Sequence, residues 1–229
     1  MRTIGLLGGM SWESSAIYYR LINEEVRDRL GGLHSASCVL YSVDFAEIEE
    51  LQRAQDWHAA GVRLAQAAKA VHQAGADFVV LCTNTMHKVA DQVAGAVDIP
   101  LLHLGDTTAS AVLAHGVRRV GLLGTGFTME QEFYRDRLAG HGLEVIVPEA
   151  ADRELVHRVI YDELCQGVVR EESRARYREV MARLEAAGAE GIILGCTEIE
   201  MLVGDGDSEL PLFPTTRLHA VAAVAEALR

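Results

Sequence analysis

The chain has 229 residues, of which 49% are hydrophobic and 24% charged, with a formal charge of -12. That length and composition describe an ordinary globule, large enough for one α/β domain or two small lobes. The negative balance argues against a nucleic-acid backbone or an anionic membrane as partner, while leaving room for a local basic pocket that takes a small anionic substrate. No apolar run is long enough to span a bilayer.

The opening, Met1-Arg2-Thr3-Ile4-Gly5-Leu6-Leu7-Gly8-Gly9, is like the apolar part of a secretion signal only briefly, because glycines and Trp12-Glu13 interrupt it. It reads as a strand followed by a loop. Short Val/Ile/Leu-rich runs then alternate with longer helical patterns. In chain order the predicted elements are a strand at 3–8, a helix at 12–30, a strand at 37–43, a helix at 55–74, a strand at 77–82, a helix at 85–95, a strand at 100–104 and a helix at 106–115. They continue with a strand at 118–124, a helix at 128–140, a strand at 143–147, helices at 151–166 and 171–187, a strand at 190–195 and a helix at 215–228. Strands that are apolar along their whole length predict burial on both faces, as in a parallel sheet covered by helices. Alternating strands and helices imply right-handed βαβ crossovers.

The chain carries one phrase twice. Ala74-Gly75-Ala76-Asp77-Phe78-Val79-Val80-Leu81-Cys82-Thr83-Asn84 is echoed by Ala187-Gly188-Ala189-Glu190-Gly191-Ile192-Ile193-Leu194-Gly195-Cys196-Thr197-Glu198. Further upstream, Ile4-Gly5-Leu6-Leu7-Gly8-Gly9 is echoed by Val120-Gly121-Leu122-Leu123-Gly124-Thr125. Two ordered matches at nearly one offset predict an internal duplication, a stronger reading than chance likeness between buried strands. The expectation is two closely packed halves with a cleft between them, since no low-complexity linker separates them.

The four cysteines, Cys38, Cys82, Cys165 and Cys196, form no CxxC redox motif or zinc knuckle. Free thiols in a reducing cytoplasm are the expectation. A free Cys is ordinarily a small buried hydrophobe, and Cys38, inside an apolar strand, is read that way. Cys82 and Cys196 stand apart because each ends a copy of the repeat, where ligands bind in open α/β sheets. Thr83-Asn84-Thr85 supply N-cap residues for a following helix. The partial positive charge there would pull a thiol below its usual pKa of about 8.5, and its free N–H groups can hold a carboxylate. Thr197 and Glu198 repeat that arrangement beside Cys196. Two thiols, one on each side of a substrate, can remove a proton from one face of a carbon and return one to the other.

The glycine-rich openings fit neither GxGxxG nor GxxxxGK[ST], so a dinucleotide or NTP site has little support. Met10-Ser11 and Gly124-Thr125 are either cleft-lining loops or plain strand-to-helix turns. Lys69 and Lys88 are the only lysines, and neither falls at an obvious loop for a pyridoxal phosphate Schiff base. A cofactor-free mechanism fits better. His34, His87 and His103 show no metal-ligand spacing, and no metal is expected. His87 is close enough to Cys82 to tune it, although a capping or surface role is the plainer reading.

Leu81-Cys82-Thr83-Asn84-Thr85-Met86-His87 and Gly195-Cys196-Thr197-Glu198-Ile199, together with Gly5-Leu6-Leu7-Gly8-Gly9-Met10-Ser11-Trp12, resemble the aspartate/glutamate racemase family over essentially the whole chain. The likeness is nearest to bacterial broad-specificity amino-acid racemases. It implies an α/β fold of two pseudo-symmetric lobes, each a parallel sheet sandwiched by helices, with the active site in the interlobe cleft. The first lobe would take 1–99 with 210–229 returning to it, and the second 100–209. The resemblance also implies no cofactor, a small amino-acid substrate and a homodimer. Carried over by position, Cys82 and Cys196 are the two acid/base residues. Thr83, Asn84 and Thr85 bind the substrate carboxylate beside the first cysteine, and Thr197 and Glu198 are their counterparts beside the second. Met10 and Gln52 match positions near the substrate, with Thr125 and Thr128 as weaker candidates.

Two departures bear on specificity. Aspartate racemases resembling this chain place an Arg in the loop after the second strand and a Lys on a helix after a Tyr. Here those stretches are Ser42-Val43-Asp44-Phe45 and Tyr161-Asp162-Glu163-Leu164-Cys165. Losing two cations removes partners for a second carboxylate, so the substrate is either Asp/Glu, with Arg53 approaching from another position, or a broader range of amino acids. Two other readings keep the fold: a one-substrate isomerase or decarboxylase of small dicarboxylates, and a non-enzymatic amino-acid-binding or redox-sensing protein using a Cys82–Cys196 disulfide.

Overall fold

The computed structural model describes residues 1–229. Its strands form two four-stranded sheets, parallel throughout. The first contains β1 (Ile4–Gly8), β2 (Cys38–Ser42), β3 (Phe78–Leu81) and β4 (Leu101–Leu102), in the order β2-β1-β3-β4. The second contains β5 (Arg119–Gly124), β6 (Glu144–Ile146), β7 (Gly191–Gly195) and β8 (Leu212–Pro214), in the order β6-β5-β7-β8. Adding four to each strand of the first order gives the second, as a duplication requires. The chain divides into Met1–Leu104 with His219–Arg229, and Gly105–Leu218. Because β8 pairs with β7, the chain returns to the first unit at His219 rather than at residue 210.

The helices are α1 (Trp12–Leu30), α2 (Phe45–Arg53), α3 (Trp57–Gln73), α4 (Ala90–Ala94), α5 (Leu104–Ala114), α6 (Gly126–Glu130), α7 (Glu132–Gly140), α8 (Ala150–Asp162), α9 (Glu171–Ala186), α10 (Ile199–Leu202) and α11 (Thr215–Ala227). None is long and apolar enough to cross a membrane. The strand period of two sorts the first sheet's residues to two faces. Leu7, Val79 and Leu81 pack with Leu64, Ala67 and Val71 of α3. Ile4, Leu6, Phe78, Val80 and Cys82 pack with Tyr18, Ile22 and Val26 of α1 and with Ala220, Ala223 and Val224 of α11. In the second unit, Leu123, Ile192, Leu194 and Cys196 pack with Val156 and Ile160 of α8 and with Tyr177, Val180 and Leu184 of α9. Each large side chain buried this way contributes about 1.5–3 kcal/mol.

The repeated Ala-Gly-Ala is a helix stop. Gly75 ends α3 at φ 96 and Gly188 ends α9 at φ 95, values that glycine adopts freely. The next amides close the same Schellman pattern, Ala76 N–H to Val71 O at 3.0 Å and Ala189 N–H to Leu184 O at 3.0 Å. Each stop launches the strand that ends in a cysteine.

The structure departs from the predicted elements in several places. The helix expected at 85–95 is a 3-10 turn, Thr85–Val89, followed by the five-residue α4. The helix at 128–140 is broken by Gln131, which is extended at φ -85 and ψ 147. The unforeseen α2 is capped by Asp44, which accepts from Ala46 N–H at 3.0 Å. The short α10 and three-residue β8 offered too little periodicity to register.

Candidate functional site

Cys82 follows the last residue of β3 and is fully buried. Backbone bonds define its turn. Cys82 N–H donates to Leu7 O at 2.9 Å, and Thr83 N–H donates to Leu81 O at 2.9 Å. Asn84 and Thr85 are buried and Thr83 is half-buried. Burial pushes the Cys82 thiol up, with Cys38 adding to the effect. This reverses the expectation of a lowered thiol. The cause is physical: the 3-10 turn and short α4 replace the long helix whose field was expected, and the Asn84 side chain makes no capping bond to the turn. Desolvation of the thiolate then dominates.

Cys196 follows β7 at the equivalent place in the second sheet and is 8% exposed. Its thiol donates to Glu198 Oε2 at 2.8 Å. Burial raises this thiol well above its ordinary value, and the Glu198 charge and hydrogen bond push it the same way. Thr197 is buried, its hydroxyl 2.9 Å from that of Thr216. Glu200, two residues beyond Glu198, accepts from Thr216 N–H at 3.1 Å and is raised to about 7 by burial. Thr215 Oγ1 donates to Leu194 O at 2.8 Å, holding the start of α11 against the end of β7.

The other predicted residues fall around these two turns, each within its own unit. Met10 is buried in the cluster that holds Leu81 and Met86. Gln52, on α2, is also buried and donates from Nε2 to Met86 Sδ at 2.9 Å. Gly9 makes the bend before Met10 at φ 92, against the backbone of Val43. In the second unit Thr125 caps α6, accepting from Thr128 N–H at 3.4 Å. Thr128 is fully buried, and its methyl group stands against Gly124 and Gly195, the residue before Cys196. His157 receives Gly126 N–H at 3.1 Å on Nδ1, adding a ring beside the same loop.

Arg53 does not approach either turn. Its side chain is 74% exposed and ion-paired with Glu49 on its own helix. Cys165 lies in the short 3-10 turn after α8 and packs on the cluster containing Cys196. All four cysteines are free thiols. No group of three His, Cys, Asp or Glu side chains is placed to hold a metal ion.

Sequence reasoning missed a buried imidazole cluster. His87 is 4% exposed, not on the surface, and its ring lies 4.6 Å from that of His103 and 5.8 Å from that of His219. His219, on α11, is more than a hundred residues away in the chain, and no local spacing could announce it. The one available signal was an imidazole within five residues of Cys82.

The sequence pattern of the Asp/Glu/hydantoin racemase family matches residues 7–223. A crystal structure of a Yersinia pestis protein, provisionally named an Asp/Glu racemase, superposes with a TM-score of 0.95 at 54% identity, covering 100% of both chains. An aspartate racemase homologue from Pyrococcus horikoshii OT3 gives 0.89 at 33% identity, again over 100% of both. The broad specificity amino-acid racemase RacX of Bacillus subtilis (strain 168) is 24% identical over 155 residues, 68% of this chain and 66% of that one, just under two thirds of its length. The fold thus has full-length counterparts, and the chain belongs to the Asp/Glu/hydantoin racemase family, whose racemases are isomerases.

Proposed function

We propose that the protein is a cofactor-independent amino-acid racemase in which Cys82 and Cys196 act as opposed acid and base on one substrate Cα. The observation that carries this reading is the equivalence of the two thiols, each buried directly after the third strand of a sheet with the same strand order. One sulfur, as thiolate, takes the Cα proton, and the electron pair left behind is delocalised into the carboxylate. The other sulfur gives its proton to the opposite face and becomes the thiolate. Atoms and charge balance, and the roles of the sulfurs have exchanged. Thr83, Asn84 and Thr85 hold the carboxylate, with backbone N–H groups stabilising the charge that develops on it.

Burial disfavours either thiolate. The α-ammonium of a bound amino acid brings a compensating positive charge. At Cys196, Glu198 is positioned to take the thiol proton, so Glu198 serves the sulfur rather than the substrate directly. The solvent-facing Arg53 supports a substrate range wider than acidic amino acids, as does the name of the Bacillus relative.

The test is incubation with single enantiomers of many amino acids in heavy water, following chirality and Cα deuteration. Racemisation with deuterium entry is expected for at least one amino acid, and its absence from protein with reduced thiols would sink the proposal. Cys82→Ser and Cys196→Ser should each abolish racemisation, and full turnover by either contradicts the two-base assignment. Release of carbon dioxide from a malonate-type substrate would favour the decarboxylase reading instead.

A further inference from the structure

The His87 ring sits between two backbone groups. Its Nε2 is 3.1 Å from the backbone nitrogen of Leu104, the first residue of α5. A backbone amide can only donate, so Nε2 must carry the lone pair. The proton of the neutral ring is then on Nδ1, and Nδ1–H donates to Thr83 O at 2.7 Å. The backbone fixes this tautomer, and an imidazolium would place a proton where the Leu104 N–H already points. Burial, reinforced by His103 and His219, also holds His87 neutral.

The neighbouring His219 ring is tied down in turn. His219 Nε2 donates to the O of Leu102, in β4, at 2.9 Å. Its Nδ1 is then the acceptor for Tyr18 OH of α1, at 2.9 Å. The walls around His87 are therefore anchored to α1, β4 and α11. The carbonyl that His87 grips belongs to the Thr83–Asn84 peptide. That unit is planar and trans, so holding its C=O toward the ring turns the Asn84 N–H to the opposite side. A second contact, His87 N–H to Asn84 O at 3.0 Å, closes the loop on itself.

We propose that His87 is a positioning residue: as the neutral Nδ1–H tautomer it clamps the Thr83–Asn84 peptide and so fixes the turn that presents Cys82. This rests on the racemase reading for its kinetic consequence, but the clamp itself has a separate readout. An Asn amide nitrogen takes the place of Nδ1, and a Gln amide oxygen takes the place of Nε2. His87→Asn therefore keeps the donor to Thr83, and His87→Gln keeps only the acceptor for Leu104. A misplaced base costs roughly 10²-fold in rate for a shift of about 1 Å.

The experiment measures kcat, KM and thermal midpoint for both variants, with the amino acid that the wild-type protein racemises. His87→Gln is expected to lose roughly 10²-fold in kcat, with KM moving less, while His87→Asn keeps most of kcat although both lose a similar amount of thermal stability. Equal loss of kcat in the two, tracking their midpoints, overturns the proposal, because a purely structural role predicts that pattern. Nitrogen-15 NMR of histidine-labelled wild-type protein supplies the second measurement, which needs neither a folded variant nor turnover. A neutral His87 protonated at Nδ1 and coupled to the Thr83 carbonyl is expected at pH 7. The other tautomer, or an imidazolium, overturns the clamp. Wild-type protein that shows the tautomer but racemises nothing refutes the racemase reading while leaving the clamp standing.

Discussion

Replacing Glu198 by Gln separates two roles that the carboxylate can have. Its Oε2 is 2.8 Å from the Cys196 sulfur, and both groups are buried. At an effective dielectric of about 20, two unit negative charges at that separation repel by about 6 kcal/mol. That exceeds the roughly 1.5–3 kcal/mol of a hydrogen bond to a charged group, so a carboxylate at Glu198 opposes the Cys196 thiolate, the direction in which this thiol is pushed. Glu198→Gln removes the repulsion and the acceptor together. The Cys196 thiolate then forms at lower pH, because its charge and its hydrogen bond had both pushed the thiol up. The assay is alkylation of Cys196 by iodoacetamide as a function of pH, read by mass spectrometry, beside racemisation of the preferred substrate. Alkylation should begin at lower pH, yet kcat should fall by about 10²–10⁴-fold, the usual contribution of a positioned proton acceptor. A variant that alkylates more readily and also turns over faster would refute the proton-acceptor role and leave Glu198 as a group that merely suppresses the thiolate. An unchanged alkylation profile would refute the electrostatic argument itself.

Arg53→Ala should leave kcat/KM for aspartate and glutamate unchanged, because the guanidinium faces solvent and Glu49; a selective loss on acidic substrates would return Arg53 to the site. Gly9→Ala should cost more than about 2 kcal/mol in urea denaturation, since the left-handed backbone alone costs an L-residue about 1–2 kcal/mol. The added Cβ would also lie 2.2 Å from Val43 O and 2.6 Å from Val43 N, so an unaltered midpoint would contradict this packing. His219 is lowered to about 4 by burial from an ordinary 6.5, so the unfolded chain binds the extra proton between those values. Its contribution is complete above pH 6.5 and lost as the pH falls through 4, about 3 kcal/mol at 1.36 kcal/mol per unit. Glu200, raised to about 7 from 4.5, acts in the opposite sense: its contribution is complete below 4.5 and lost as the pH rises to about 7. Thermal midpoints across pH 4–7 should show the acid limb flattened by His219→Gln, and an unchanged limb would remove His219 from this account.

Much of the fold was legible because it is written in strong, local terms. A left-handed glycine, a short run of β-branched and leucine residues, and a terminal cysteine occur twice, and each is a physical instruction: stop the helix, bury the strand on both faces, end at the carboxyl edge. What escaped was whatever depends on distant neighbours or on desolvation. The turn after Cys82 has good capping letters, but tertiary contacts shape it as a 3-10 turn with His87 inside. The same burial that encloses the turn reverses the expected direction of the thiol's shift. His219 and Tyr18 meet across 201 residues, and no window of sequence contains both.

The duplication also conceals a difference at its chemical end. Cys82-Thr83-Asn84 and Cys196-Thr197-Glu198 match position for position, so the scaffold puts a neutral amide after one thiol and a carboxylate after the other. If the two sulfurs act as the proposed acid and base, they then differ in how each loses its proton. A free enantiomer pair nevertheless has an equilibrium constant of one. Thermodynamics then requires kcat/KM to be equal in the two directions in any variant, however unequal the bases. The asymmetry must appear in kcat and KM separately and in the pH dependence of each direction. Glu198→Gln should displace the kcat profile of the direction in which Cys196 is the base, while the ratio of the two kcat/KM values stays at one. If the kcat profiles of both directions moved together, Glu198 would be acting on the bound substrate rather than on the sulfur.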